Sequence, residues 1–145
     1  MQVSLREISP SDCLEIAAIE RVCFPLPWSE HDVRSVCMRS DFCGFLVQVD
    51  GISVGYLLGL ALFENAEVLR VAVLPDYRGQ KLGGTLLDAF CDCVRARGVE
   101  RVLLEVRVSN QSALCLYESR KFARVRVRKQ YYENGESAVE MCKVL

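Results

Sequence analysis

The sequence has almost no net charge, no long apolar run and a single histidine. A net charge of −1 at pH 7 gives no general attraction to nucleic acid, so we expect no stable nucleic-acid binding. No apolar run of about 18 residues is present, which predicts no membrane-spanning helix. The first residues also lack the basic and apolar stretches of a signal peptide. We therefore expect a cytoplasmic protein with no membrane partner.

Metal-ligand spacing is also absent, although the chain has eight cysteines. No C-x-x-C pair occurs, and His31 is not near paired cysteines, so no metal is predicted. Without an export signal, disulfides are not expected either. We interpret the cysteines as free thiols that serve as small apolar residues.

Hydrophobic periodicity and turn signals predict seven strands and four helices. No linker divides the sequence, so we predict one domain over residues 1–145. The order β-α-α-β-β-β-α-β-α-β-β predicts an α/β (α+β) class, with helices on the faces of a mixed, mostly antiparallel sheet. The predicted strands cover residues 3–8, 42–49, 52–63, 67–74, 102–106, 122–132 and 136–144, and the helices follow Ser9, Ser29, a glycine-rich loop and Asn110.

Short local patterns indicate where several of these elements end. Ser29 with Asp32 has the pattern of a capping box at a helix start. Gly98 is placed to end the third helix. Asp50-Gly51 and Asn134-Gly135 are signals for tight turns between antiparallel strands.

The segment from Val71 to Leu87 is the most informative part of the chain. An apolar strand leads through a proline turn and a glycine-rich loop into an amphipathic helix, which directs backbone N–H groups and a helix N-terminus at one point. Such a point binds phosphate. A P-loop does not fit, because Thr85 and Leu86 follow Gly84 where Lys and Ser or Thr are needed. The dinucleotide pattern G-x-G-x-x-G is also absent.

A third pattern, Arg/Gln-x-x-Gly-x-Gly/Ala after a strand that ends in Val-x-Pro, fits this loop better. Arg78, Leu82 and Gly83 fall at the positions that the pattern requires, whereas Lys81 stands at the first motif glycine. The loop is similar to the acetyl-CoA pyrophosphate loop of the GNAT acetyltransferases.

Two further residues could carry chemistry. Glu105 is a lone acid inside an apolar strand, where a buried carboxylate is costly without a purpose or a partner. It is either a general base, a solvent-facing residue, or half of an ion pair with an arginine. Tyr117 follows on a short helix, where a tyrosine either packs in the core or donates a proton to a thiolate.

These segments together resemble the bacterial ribosomal-protein-alanine N-acetyltransferases, a family within the GNAT fold. The resemblance covers most of the chain. Besides the loop, it includes Leu-Glu-Val-Arg-x-Ser-Asn at 104–110, Leu-Tyr-Glu-Ser at 116–119, a Phe-Pro-Trp-Ser-Glu-like stretch at 24–30, and Tyr131-Tyr132.

The resemblance implies that acetyl-CoA donates an acetyl group to the N-terminal α-amine, on alanine, of a ribosomal protein, without a metal. It implies that Glu105 accepts the proton of the amine and that Tyr117 protonates the leaving sulfur. A monomer or a weak dimer is expected. The implied cofactor contacts are Val71, Ala72, Val73, Arg78, Gly79, Gln80, Lys81, Leu82, Gly83, Gly84 and Asn110, and the implied peptide contacts are Phe24, Trp28, Tyr131 and Tyr132.

Two lysines depart from the family pattern. Lys121 replaces the glycine of Tyr-Glu-Ser-x-Gly-Phe, and we expect it to carry backbone strain if residue 121 needs a positive φ. Lys81 could crowd the pyrophosphate, bind it through its ammonium, or point to solvent.

Other functions therefore stay open. The same fold could acetylate a lysine side chain or a small amine. The chain could also be a CoA-binding module that has lost turnover through Lys81. Arg124, Arg126 and Arg128 share one strand face, which is either a solvated surface or a contact for ribosomal RNA or an acidic peptide.

Overall fold

The computed structural model describes residues 1–145 and contains seven strands and four α-helices. This order of elements is the predicted one. The strands are β1 (Val3–Glu7), β2 (Phe42–Val49), β3 (Ile52–Leu62), β4 (Asn65–Val73), β5 (Arg101–Arg107), β6 (Ala123–Arg128) and β7 (Ala138–Val144). The helices are α1 (Cys13–Cys23), α2 (Glu30–Cys37), α3 (Leu82–Ala96) and α4 (Gln111–Ser119).

All seven strands belong to one sheet, in the order β1-β2-β3-β4-β5-β7-β6. Every neighbouring pair is antiparallel except β4 and β5, which run parallel. The parallel register is short and joins only residues 65–67 of β4 to residues 101–103 of β5. The prediction of a mixed, mostly antiparallel sheet is therefore confirmed, and the two central strands separate beyond these residues.

The sheet is covered on both faces. The larger apolar cluster has 23 buried residues and includes the inner faces of α3 and α4. The smaller cluster has eight buried residues beneath α1 and α2. Gly59 of β3 lets α3 approach closely, because a β-carbon there would overlap the Phe90 ring. Burial of such a ring contributes about 1.5–3 kcal/mol to the free energy of unfolding.

The predicted cap of the second helix is present. The Asp32 N–H donates to the Ser29 hydroxyl at 3.1 Å, and the Ser29 N–H donates to the Asp32 carboxylate at 3.0 Å. Asn110 caps α4 in the same way, since its side-chain oxygen accepts the N–H of Ala113 at 3.2 Å. These short polar contacts explain why local sequence marks both helix starts.

The last connection differs from the prediction of a strand over residues 122–132 and a tight turn. Strand β6 ends at Arg128, because Gln130 has a φ of 53° that a strand does not tolerate. Tyr131 and Tyr132 therefore lie in a loop instead of a strand. Gly135, with a φ of 82°, does form a turn, and its N–H donates to the Tyr132 carbonyl at 2.9 Å. The loop carries both tyrosines towards β5.

Lys121 lies in the left-handed region, as expected, with a φ of 74°. It follows the end of α4, where the Phe122 N–H donates to the Tyr117 carbonyl at 3.0 Å. A side chain in this region costs roughly 1–2 kcal/mol, part of which a glycine recovers. We expect Lys121→Gly to raise the free energy of unfolding by about 0.5–1 kcal/mol. Urea unfolding measures this gain, and Lys121→Ala, which keeps the strain, is the control that should show none.

Candidate active site

The separation of β4 from β5 opens a gap in the middle of the sheet. A cavity of about 520 Å³ and a second of about 330 Å³ lie at this gap. Both cavities are lined by Phe24, Val71, Asn110, Ala113 and Tyr117. These shared residues form the boundary at which groups bound in the two cavities meet.

The gap leaves the edge of β4 free to bind an extended ligand. The Leu74 N–H donates to the Val54 carbonyl of β3 at 2.8 Å. In an antiparallel pair this pattern alternates, so the N–H and C=O groups of Val71 and Val73 point away from β3 and into the gap. The Val73 carbonyl already accepts a hydrogen bond from Nε of Arg78 at 2.9 Å. The remaining groups suit the amides of a pantetheine arm.

The loop after β4 has the geometry that the predicted phosphate site requires. Gly79 has a φ of 81° and open space around its α-carbon, and α3 begins at Leu82. The first intrahelical acceptor is the Lys81 carbonyl, which receives the Thr85 N–H at 3.1 Å. The N–H groups of the helix's first turn therefore have no acceptor within the helix, and they form an anion site at its positive end.

Gly84 has a packing role in the same loop. A β-carbon at Gly84 would overlap the guanidinium of Arg120, which follows α4. Arg120 in turn donates through Nε to Asp88 of α3 at 3.2 Å. The glycine thus lets α4 lie against the start of α3, which brings the two cavities together.

Lys81 adopts the conformation that a glycine would take at this position. Its φ is 63°, and it is the residue that precedes α3. The side chain is exposed, and the residue lines the larger cavity. An ammonium at this mouth is placed to face the charge of a bound pyrophosphate, so the geometry accommodates Lys81.

The residues implied as cofactor contacts lie almost entirely around the larger cavity. Gln80 is the one that does not line it. The lining also includes residues that sequence reasoning did not find, among them Cys23, Tyr77 and Leu116. The implied residues on this cavity are Val71, Ala72, Val73, Arg78, Gly79, Lys81, Leu82, Gly83, Gly84 and Asn110.

The smaller cavity is a groove with aromatic walls. Phe24, Tyr131 and Tyr132 line it together with Glu105. The Arg107 guanidinium lies 3.9 Å from the centroid of the Tyr132 ring and holds that side of the groove. Trp28 does not line the groove and instead packs behind its wall.

Glu105 faces this groove and has a cationic partner. Its side chain is 26% exposed, and its carboxylate lies 3.2 Å from Nε of Arg128. The same carboxylate beside the Tyr131 hydroxyl raises the pKa of that tyrosine. The lone acid of β5 is thus held at the groove by an arginine while one face stays accessible to an acceptor.

Tyr117 lies at the boundary between the cavities. It is buried and lines both of them, and its ring packs edge-to-face on Phe122 with the centroids 5.9 Å apart. Burial raises the pKa of its hydroxyl well above the ordinary value. The phenol therefore stays protonated at neutral pH and is suited to donate a proton.

A buried polar cluster supports the wall of the groove and was missed from the sequence. Glu20 of α1 is fully buried and accepts hydrogen bonds from the Tyr56 hydroxyl, the Trp28 N–H at 2.8 Å and Arg70 at 3.0 Å. Arg70 also donates to the Leu26 carbonyl at 3.1 Å. The sequence did contain a signal for this cluster. Glu20 lies four residues after Ile16, on the apolar face of the first helix, and Arg70 interrupts an apolar strand.

The three arginines of β6 do not share one strand face as predicted, because the register of β6 on β7 shifts between Arg124 and Arg126. Each of them nevertheless forms an ion pair. Arg124 lies 3.2 Å from Glu118, and Arg126 pairs with Glu140. Arg128 contacts both Glu105 and Glu140. Arg128 is thus an ion-pair partner of Glu105 behind the groove and is not part of a free basic surface.

This sheet, opened between β4 and β5 beside an anion-binding loop, is the GNAT fold, and its class is that of the acetyltransferases. A model of the Acetyltransferase (GNAT) family matches residues 13–122. The chain belongs to this family and is an N-acetyltransferase. Enzymes of the family take the acetyl group from acetyl-CoA, and the larger cavity, the free β4 edge and the start of α3 fit that donor.

Named relatives agree with this assignment. The chain is 34% identical over 126 residues to the ribosomal protein bS18-alanine N-acetyltransferase of Escherichia coli strain K12, covering 85% of this chain and 84% of the relative. It is 30% identical over 155 positions to an N-alpha-acetyltransferase of Saccharolobus solfataricus, covering 98% and 93%. The crystal structure of the Escherichia coli ribosomal-protein-S18-alanine N-acetyltransferase superposes with a TM-score of 0.92 and 30% identity, covering 99% of this chain and 94% of that one.

None of the helices combines the length and the apolar character needed to cross a membrane.

Proposed function

We propose that this enzyme transfers the acetyl group of acetyl-CoA to the N-terminal α-amine of a ribosomal protein, with alanine as the acceptor residue. The observation that carries the proposal is the placement of two residues: Tyr117 lines both cavities, whereas Glu105 lines only the groove. The names of the relatives support the same acceptor. We further propose that residues 1–145 act as one domain in the cytoplasm, as a monomer or a weak dimer.

The chain's own residues then have defined tasks towards the donor. The backbone of Val71 and Val73 would pair with the pantetheine arm, and residues 78–84 with the start of α3 would hold the pyrophosphate. Asn110, which lines both cavities, would contact the donor near its thioester. Phe24, Tyr131 and Tyr132 would form the walls around the acceptor peptide, and Trp28 would support them from behind.

Glu105 would accept the proton of the acceptor amine as its nitrogen attacks the thioester carbon. The new C–N bond forms, the C–S bond breaks, and Tyr117 donates its proton to the leaving CoA sulfur. An α-amine has a reference pKa of ~7.7–8.0, against ~10.4 for lysine, so one carboxylate is enough to deprotonate it. Each acid or base role is typically worth ~10²–10⁴ in rate. A backbone N–H that points into the gap would stabilise the tetrahedral oxyanion.

Mass spectrometry with two peptides tests the acceptor. One peptide begins with a free alanine and lacks lysine, and the other has a blocked N-terminus and one lysine. We expect the enzyme with acetyl-CoA to add one acetyl group to the first peptide alone. The variant Glu105→Gln should leave this peptide unmodified over the same time, because it removes the proton acceptor.

Other outcomes would replace the proposal. Acetylation of the lysine peptide alone would assign a side-chain acceptor. If neither peptide gains an acetyl group while acetyl-CoA binds in a titration, the acceptor is a small amine or another amine outside the two peptides, or the chain is a CoA-binding module.

A further inference from the structure

The groove contains one charged side chain without a partner. Its charged lining residues are Glu67, Arg70, Glu105 and Arg107. Arg70 pairs with Glu20 at 3.0 Å, Glu105 with Arg128 at 3.2 Å, and Arg107 with Glu136 at 3.5 Å. Glu67 alone makes no ion pair and no side-chain hydrogen bond. The groove therefore presents an uncompensated negative charge to its occupant.

Glu67 lies on the same face of the sheet as Glu105. Glu67 is paired with Leu103 at the last point where β4 and β5 are joined. Paired residues point to the same face of a sheet, and Glu105 lies two residues beyond Leu103, so both carboxylates lie on one face. Partial burial and the nearby Glu105 raise the pKa of Glu67. The two acids thus interact across the groove.

Glu67 lies away from the boundary between the two cavities. It lines the groove but not the larger cavity. Because β4 has a bulge between Val68 and Arg70, Glu67 and Val71 are three β3 positions apart, or about 10 Å along the strand. An extended peptide advances about 3.3–3.6 Å per residue. A peptide whose α-amine lies at the boundary between the cavities therefore places a side chain of its second or third residue within reach of Glu67.

We infer that Glu67 selects acceptor peptides with arginine or lysine at the second or third position, by forming an ion pair with that side chain in the groove. A cationic side chain there would pair with a carboxylate that no residue of the chain neutralises. An acidic side chain there would be repelled by both Glu67 and Glu105. The inference deepens the proposed function and rests on it, since it requires a peptide N-terminus as the acceptor.

Steady-state kinetics with matched peptides tests this selection. The peptides begin Ala-Arg-Ala, Ala-Ala-Arg, Ala-Ala-Ala and Ala-Glu-Ala, contain no lysine, and are otherwise identical. We expect wild-type kcat/KM to be roughly five- to tenfold higher for the better arginine peptide than for Ala-Ala-Ala, mainly through KM. Glu67→Gln should remove this preference by raising KM for the arginine peptide, and Glu67→Lys should shift the preference towards Ala-Glu-Ala.

Glu64→Gln is the matched control, because Glu64 is an exposed acid of the β3–β4 turn that does not line the groove. Its peptide preferences should equal those of the wild type. Equal kcat/KM for all four peptides, or an arginine preference that survives in Glu67→Gln, would overturn the inference and leave the proposed function intact. Failure of the wild type to acetylate any peptide N-terminus would overturn both.

Discussion

Replacement of Tyr117 by phenylalanine should lower kcat by about 10²-fold or more, which is the usual value of a positioned general acid. The variant removes only the hydroxyl and keeps the ring that packs against Phe122. Affinity for acetyl-CoA, measured by calorimetric titration, should therefore change by less than about twofold, while the rate of CoA release falls. A variant with the full wild-type rate would show that the sulfur leaves without this proton.

The pH dependence of the reaction gives a second check on Tyr117. Its acid form is active, so activity would be lost as pH rises through its pKa. Burial raises that pKa above the ordinary value of ~10, which moves the loss to higher pH. A decline of kcat in the wild type between pH 8 and about 9.5 must therefore come from another group, and it should persist unchanged in Tyr117→Phe.

Replacement of Glu20 by alanine should lower the free energy of unfolding by about 3–5 kcal/mol, the usual cost of breaking a buried ion pair. The change would leave Arg70, the Tyr56 hydroxyl and the Trp28 N–H without their common acceptor. Urea unfolding followed by tryptophan fluorescence measures the loss. The smaller change Glu20→Gln keeps the shape of the side chain and should retain part of the stability.

Glu30→Ala is the control for this measurement. Glu30 pairs with Arg34 on the surface of α2, where both side chains are about half exposed. Exposed pairs of this kind contribute less than about 1 kcal/mol. Equal losses for Glu20→Ala and Glu30→Ala would contradict the role of the buried cluster.

The order of elements was predictable because its signals are local. The Ser29–Asp32 cap, the Asp50-Gly51 turn and the glycine-rich loop each depend on residues a few positions apart. The position of Lys121 was predictable for the same reason, since a helix end commonly requires one residue with a positive φ. Such signals set where elements start and stop.

The environment of the site could not be predicted in the same way. The Glu20–Arg70 pair joins residues that are 50 positions apart, and the partner of Glu105 comes from β6, beyond α4. Only the sheet order brings these side chains together. The loop position of Tyr131 was missed because an aromatic run favours a strand until tertiary contacts outweigh that preference. Glu67 gave no signal, because an acid in a half-exposed strand is ordinary until its neighbours are known.

The gap between β4 and β5 has a kinetic consequence. The two cavities have separate outer walls, the glycine-rich loop for one and the Tyr131 loop for the other, and they share only the residues at their boundary. We therefore expect both substrates to occupy the protein together and the acetyl group to pass between them directly. The catalytic cycle would then proceed through a ternary complex, without an acetylated enzyme.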